Sequence, residues 1–223
     1  MGDSPASVEL VLPRPEWAAG CIVAASGPSL TAETAEAVVA SGLPVLAVND
    51  AYKRLPSADI LYACDATWWR ERAGAREFVG ERWSSIGRPG RFRHNDKSKE
   101  QRTHGLRLVF GEDRPGFSFD PSQIHYGSNS GFQGVNMALL LGAAAIILVG
   151  FDMRGSHFFG AHKQPLRNTG SYVNFIRAFE TAAKALPSNR RIINATQGSA
   201  LGCFPRMDLH DALAQVSRRG FAA

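Results

Sequence analysis

The sequence predicts a single α/β domain built on a doubly wound, mostly parallel sheet of Rossmann-like type. Short uncharged apolar runs alternate with helical stretches along most of the 223 residues, a glycine turn follows the first run, and acidic or amide residues end the next ones. Apolar runs without strict alternation are typical of strands that are buried on both faces of a sheet. An irregular, lid-like insertion interrupts this pattern.

The first apolar run, Cys21–Ala25, leads through Gly27, Pro28 and Ser29 into a helix. Gly27 permits a tight turn and a close approach of a ligand to the backbone. A glycine turn between a strand and a helix favours an anion, because unpaired amides and the positive end of the helix dipole point at one place. We therefore expect this turn to bind phosphate, and we expect Gly27→Val to abolish nucleotide binding while leaving the fold largely intact.

Polar side chains end three of the later predicted strands. The strand over 43–48 stops at Asn49, the next one stops at Asp65, and the strand over 144–149 is followed by Asp152. Open α/β sheets bind their ligands at the carboxyl ends of the strands. We therefore expect these three side chains to lie along one edge of the sheet.

A second cluster of glycine and serine opens the predicted helix over 132–141 and adds a second candidate anion site. It contributes four candidate binding residues, Ser128, Asn129, Ser130 and Gly131. Two glycine turns beside helix starts, with acidic strand ends between them, favour a nucleotide site over ordinary strand-to-helix connections.

The least regular part of the chain is the excursion 84–125, in which short apolar alternations at 83–86 and 106–110 are predicted to be strands. This composition suits a mobile lid or a plain surface loop. Residues 1–19 are predicted to form a tail or strap, and 20–217 the nucleotide-binding domain.

The segment after Asp152 is rich in glycine and contains His157 and His162. A histidine in such a loop is suited to act as a general base at neutral pH. The spacing of these residues matches no standard zinc pattern, so no metal site is predicted. Three nearby cations are candidates to face a departing anion: Arg154, Lys163 and Arg167.

The composition limits the partners and the compartment. The formal net charge of +5 is compatible with a small anionic ligand, and with nucleic acid as a less favoured partner. The three cysteines fit no metal spacing and are expected to be reduced core thiols. No apolar run is long enough to span a membrane and no signal architecture is present, so a cytoplasmic protein is expected, with a homo-oligomer left open.

Four motifs carry a resemblance to known families. They are A-S-G-P-S-L near the start, N-D after the second strand, S-N-S-G-x-x-x-x-N-x-A-x-x-L-G-A in the middle, and I-I-L-V-G-F-D after it. The combination resembles the bacterial sialyltransferases of glycosyltransferase family 42, and the hydroxymethylpterin diphosphokinase-like family that includes motility accessory proteins. In overall layout the chain is also similar to phage and prophage proteins that share C-D-x-x-W-W and N-A-T-x-G-S-x-L.

The sialyltransferase resemblance implies a role for each matching residue. It makes residues 27–29 the loop under the nucleotide and places Asn49 near the phosphate. That family keeps its histidine base in a segment similar to S-H-F-F-G-A-H, in which either His157 or His162 is the match, and Gly160 favours His162. The resemblance assigns no residue of this chain to the tyrosines that assist the leaving phosphate in that family.

The predicted function is therefore that of a metal-independent glycosyltransferase whose donor is a nucleotide-activated sugar of the CMP type, with an unknown acceptor. His162, His157 and Asp152 are the predicted catalytic residues. A Mg²⁺-dependent diphosphokinase or nucleotidyl transferase, with the aspartates at 50, 65 and 152 as metal ligands, remains open. A nucleotide-binding or nucleic-acid-binding protein without turnover also remains open.

Overall fold

The computed structural model describes residues 7–88, 97–166 and 171–220, which form one α/β domain. Its sheet has eight parallel strands in the order β6-β5-β4-β3-β2-β1-β7-β8. The strands are β1 (Cys21–Ala24), β2 (Val45–Val48), β3 (Ile60–Tyr62), β4 (Glu81–Gly87), β5 (Arg107–Glu112), β6 (Gln123–His125), β7 (Ala145–Val149) and β8 (Arg191–Asn194). The α-helices are α1 (Ala32–Ala40), α2 (Ala66–Glu71), α3 (Ser98–His104), α4 (Ser130–Leu140), α5 (Tyr172–Lys184) and α6 (Leu209–Gly220).

The sheet is doubly wound, which confirms the predicted fold class. β1 pairs with β2 on one side and with β7 on the other. The chain moves outward from β1 to β6 and then returns to β7, so the winding direction reverses between β1 and β7. Such a reversal opens a crevice at the carboxyl ends of the two strands, because the flanking connections leave in opposite directions.

Most predicted elements form where local sequence places them. The first crossover helix begins after Thr31, whose hydroxyl accepts a hydrogen bond from the Thr34 amide, as expected of an N-cap. The described residues of the excursion 84–125 are more regular than the sequence predicts. They contribute most of β4 and all of α3, β5 and β6 to the domain, and β6 was not predicted. A lid role for this stretch stays a prediction.

The two faces of the sheet are covered by separate apolar layers. One layer holds α4 and Phe179 of α5, and the other includes Val38 of α1, the two tryptophans of α2 and Val216 of α6. Every residue of α4 is buried. A β-carbon at Gly134 would lie 3.0 Å from side-chain atoms of Leu46 and Val48, so glycine lets α4 pack close against the sheet. This packing places the α4 N-terminus at the carboxyl edge of the strands.

The described part of the N-terminal segment runs beside β5. The Glu9 amide donates to the Leu108 carbonyl at 2.7 Å, the Val11 amide donates to Pro121 at 2.8 Å, and Arg107 pairs with Glu9. Val11 is fully buried by these contacts. Among the described residues, no helix combines the length and the apolar character that crossing a membrane requires.

Candidate functional site

A cavity of about 470 Å³ lies at the carboxyl edge of the sheet, where the winding reverses. Its floor comes from the ends of β1, β2, β3 and β7, and its walls come from the α4 N-terminus, the start of α5 and the loop after β7. The volume suits a nucleotide-sized ligand, since small-molecule sites usually measure about 300–1,000 Å³.

The cavity brings together ten of the twelve residues predicted for the site. The ten are Gly27, Asn49, Asp65, Ser128, Asn129, Ser130, Gly131, Asp152, His157 and His162. Pro28 and Ser29 are not part of its wall; Pro28 is exposed, and Ser29 faces a second cavity between the start of α1 and the end of β8. The expectation that Asn49, Asp65 and Asp152 share one edge of the sheet is confirmed.

The Gly27 turn differs from the prediction, because its polar groups are already paired within the protein. The Gly27 amide donates to the Gly150 carbonyl at 3.0 Å. The Ser29 amide and hydroxyl both donate to the Asp152 carboxylate, the hydroxyl at 2.7 Å. The carboxylate thus occupies the position beside the α1 N-terminus that the sequence assigned to a phosphate.

The same geometry corrects the expected role of Gly27. A β-carbon there would overlap the Asp152 carboxylate and would lie 2.5 Å from the Gly150 carbonyl oxygen. Glycine is therefore required for contacts inside the protein, and Gly27→Val is expected to disturb the turn itself. Asp152, which was predicted to be catalytic, is buried and tied to Ser29.

The N-terminus of α4 is the more open anion site. The Asn129 side chain caps the helix by accepting a hydrogen bond from the Phe132 amide at 2.8 Å. Within the described residues, the amides of Ser130 and Gly131 have no protein acceptor. Both residues line the cavity, so two unpaired amides and the positive end of an 11-residue helix meet there.

Backbone conformation on the cavity wall is unusual at three positions. Asn49, Ser128 and Met153 have φ angles of 52°, 64° and 52°, which non-glycine residues seldom adopt. Such strain persists only where the surrounding structure imposes it, and it is often found at functional sites. The side-chain amide of Asn49 makes no hydrogen bond within the described part of the chain, and it is available to a ligand.

Asp50 is not part of the cavity, which corrects its predicted role as a metal ligand. The side chain is fully buried and receives two hydrogen bonds from Arg72, at 2.7 and 3.1 Å, one from Trp68, and an ion pair with Lys53. Burial alone would raise the pKa of Asp50, but the hydrogen bonds from these three partners hold it below its ordinary value. In the described ranges, no three His, Cys, Asp or Glu side chains are arranged to hold a metal ion.

The loop of residues 154–163, called here the histidine loop, places both candidate bases on the cavity wall. The ring centres of His157 and His162 lie 4.5 Å apart, and both side chains are half-buried. Burial lowers the pKa of each imidazole, and in His162 the neighbouring His157 lowers it further. Both rings are therefore neutral at pH 7 and able to accept a proton.

The sequence did not identify Tyr172, the first residue of α5, as a site residue. Its side chain lines the cavity, and its hydroxyl donates to the Gly155 carbonyl at 3.1 Å. Burial raises the pKa of this phenol, with a smaller contribution from Asp152, so it stays protonated at neutral pH. No local signal marks Tyr172, because only the packing of α5 brings it to the cavity.

The other candidate side chains have mixed outcomes. Arg154 lines the cavity, whereas Lys163 does not, and Arg167 lies outside the described residues. Cys64 lines the cavity as a free thiol, and burial raises its pKa to about 12, so it remains protonated. Trp68 is buried and contributes one edge of the cavity.

The chain is similar in structure to the MAf glycosyltransferase from Magnetospirillum magneticum AMB-1, with a TM-score of 0.63 and 14% sequence identity. The similarity covers 98% of this chain and 39% of the other, so this chain spans well under half the length of the protein that it matches. At this level of identity, the likeness shows the shared α/β fold. No model of a known protein family and no curated protein matches the sequence.

Proposed function

We propose that the protein transfers a sugar from a nucleotide-activated donor of the CMP type to a hydroxyl acceptor, without a metal ion. The observation that carries this proposal is one cavity that holds both an open helix N-terminus and two neutral histidines. The first suits the phosphate of the donor, and the second suits the removal of a proton from the acceptor. The glycosyltransferase named above, which shares the fold, supports the same reaction class.

The proposed reaction uses the chain's own groups at each step. His162 removes the proton from the acceptor hydroxyl, and the acceptor oxygen attacks the anomeric carbon of the sugar. The bond from that carbon to the donor phosphate breaks, and the electron pair goes to the phosphate oxygen. The amides of Ser130 and Gly131 stabilise this charge, as preorganised donors do. The side-chain amide of Asn49 is a further neutral donor on the same wall.

The corrected position of Asp50 bears on the Mg²⁺-dependent alternative. Of the three aspartates that were predicted to hold the metal, Asp50 points away from the cavity and Asp152 is bound to Ser29. Asp65 alone is exposed on the cavity wall. This arrangement favours the metal-independent reaction over the diphosphokinase reaction.

A nucleotide screen tests the proposal. Thermal unfolding is measured with CMP, UDP, GDP and ATP, each with and without Mg²⁺, because a ligand that binds the folded state raises its stability. We expect stabilisation by CMP without the metal, followed by release of CMP from a CMP-activated sugar. Stabilisation by ATP only with Mg²⁺ would favour the diphosphokinase reaction, and binding without any turnover would favour a binding protein.

A matched pair of variants tests the anion site at α4. Ser128 is exposed, lies beside the helix start and has a positive φ that Asp and Asn both tolerate. Ser128→Asp places a negative charge beside the phosphate position and is expected to weaken CMP binding by at least about tenfold. Ser128→Asn is the control, because the asparagine side chain has the shape of aspartate but no charge. This variant should bind CMP as tightly as the parent does. Equal calorimetric affinities of the two variants would place the phosphate elsewhere.

A further inference from the structure

Two consecutive cations contact two consecutive phenylalanines of the histidine loop. The Lys53 ammonium lies 5.7 Å from the ring centre of Phe159, and the guanidinium carbon of Arg54 lies 4.7 Å from that of Phe158. Both distances are within the range of cation–π attraction, about 6 Å. Lys53 ends the short 3-10 turn Asn49–Lys53 that follows β2, and Arg54 comes directly after it, so the loop is held against the carboxyl edge of the sheet.

The polar surroundings of the two cations support a positioning role. Lys53 forms a 2.6 Å ion pair with Asp50, which Arg72 also holds, so its ammonium is anchored to a buried group. Arg54 has a buried Nε with no hydrogen-bond acceptor in the described ranges. The Phe158 ring is thus a close neighbour of the Arg54 guanidinium.

Phe159 in turn contacts both histidines, and the ring of Phe158 packs edge-on against that of Phe159, with ring centres 5.1 Å apart. The ring of Phe159 stacks on that of His157, with centres 4.9 Å apart and planes 9° apart, and its centre lies 5.0 Å from that of His162. The Phe158 amide donates to the Ser26 carbonyl at 3.0 Å, which fastens the loop to the residues after β1. The position of both imidazoles thus depends on where the two phenyl rings lie.

We propose that Lys53 and Arg54 are positioning residues for the two histidines, acting through Phe158 and Phe159. The catalytic meaning of this role rests on the proposed function, but the positioning can be measured without turnover. When the two cation–ring contacts are present, the imidazoles stay half-buried on the cavity wall. When they are lost, the loop moves away and the imidazoles become hydrated.

The charges around the histidines show which variant gives the clearest result. Burial lowers the pKa of His157, while Asp50 and a hydrogen bond involving the Ser26 backbone raise it. The pKa of His162 is lowered by burial, by His157, and by the charges of Arg72 and Lys53, and Asp50 raises it. Removing Lys53 would change the pKa of His162 directly. Asp50 is the charged group that shifts the pKa of His157, and Arg54 is not among the causes of that shift, so we expect Arg54→Ala to change this pKa through the position of the loop.

The test is an NMR titration of the His157 ring in Arg54→Ala. The chain has six histidines, and His157→Gln identifies the signal by its loss. We expect the pKa of His157 to rise from its lowered value toward the ordinary value of about 6.5 as the ring becomes hydrated. Arg54→Lys keeps a cation, so the pKa of His157 should stay nearly as low in this variant as in the parent. Arg76→Ala, which removes an exposed arginine from another loop, should leave it unchanged.

The outcomes separate this inference from the proposed function. A correctly folded Arg54→Ala protein with an unchanged His157 pKa would overturn the positioning role, whatever the activity of the parent. A raised pKa supports it, even if no CMP-activated sugar is turned over. Where turnover is found, we expect Arg54→Ala to lower kcat by about 10- to 100-fold with CMP affinity unchanged, because misplacing a base by about 1 Å has effects of this size.

Discussion

At Gly27, the absence of a side chain lets a carboxylate come close to the start of a helix. Asp152 then accepts hydrogen bonds from the amide and the hydroxyl of Ser29, 123 residues earlier in the chain. A carboxylate near a helix N-terminus is stabilising, because it meets unpaired amides and the positive end of the dipole. The residues that the sequence assigned to a ligand therefore hold the turn together.

We expect Gly27→Ala to lower the free energy of unfolding by about 1–3 kcal/mol, since its methyl group would overlap Asp152 and crowd the Gly150 carbonyl. Chemical denaturation measures the loss. Gly202→Ala is the control, because a β-carbon there meets nothing within 4 Å and its φ is not in the left-handed region. Equal stability of the two variants would contradict this explanation of Gly27.

Asp50 gives a prediction about pH. Its pKa is lower in the folded protein than in the unfolded chain, so its ionised form adds stability above the unfolded pKa of about 3.9, and this stability is lost as the pH falls through the folded value. Asp50→Asn leaves Arg72 and Lys53 without their partner and is expected to cost about 3–5 kcal/mol at pH 7. The difference from the parent should shrink below about pH 4.

Urea unfolding of Asp50→Asn over a range of pH checks this dependence. Asp113→Asn serves as the control, since Asp113 is exposed and its neutralisation should change little. If the destabilisation of Asp50→Asn were the same at pH 3 and pH 7, the charge of Asp50 would not be its cause.

At the scale of elements, helices α1 and α4 both begin at the carboxyl edge of the sheet, but their N-termini have different roles. The N-terminus of α1 is paired with Asp152, while the amides of Ser130 and Gly131 at the start of α4 have no acceptor among the described residues. The segments before α1 and α4 both predict an anion site, since each combines glycine and serine before a helix. The carboxylate that distinguishes them belongs to Asp152, which follows β7 and lies 123 residues after Ser29 in the chain.

The histidine loop is the element on which turnover is proposed to depend. We expect His162→Ala to reduce turnover by about 10²- to 10⁴-fold, the usual contribution of a general base, with CMP binding retained. His157→Ala removes the ring that stacks on Phe159 and should mainly loosen the loop, which limited proteolysis would detect. Because burial lowers the pKa of His162, kcat/KM should fall only as the pH drops below about 6.5.

The control for this pair is His210→Ala, since His210 is exposed at the start of α6 and lies outside the cavity. Full activity of both His157→Ala and His162→Ala with a true acceptor would rule out a histidine base in this loop. A loss of turnover in His157→Ala but not in His162→Ala would make His157 the general base.

At the scale of the whole molecule, the winding reversal between β1 and β7 decides where the cavity lies. It brings strand ends from residues 25, 48, 64 and 150 to one place, although they are spread over more than half of the chain. The sequence predicted this edge correctly because each strand end carries its own local signal: an apolar run that stops at a glycine, an amide or an acid. The chain order of strands and helices then implies a parallel sheet.

The sequence alone therefore determined most of the strands, the starts of α1 and α4, the parallel sheet and ten of the residues that line the cavity. These depend on short-range patterns of hydrophobicity, capping and turn residues. Only the tertiary structure decided that Asp152 occupies the α1 N-terminus, that Asp50 faces Arg72, and that Tyr172 joins the cavity. Each of these depends on which way a polar side chain turns once distant elements are packed, and the partners that satisfy it are not its neighbours in sequence.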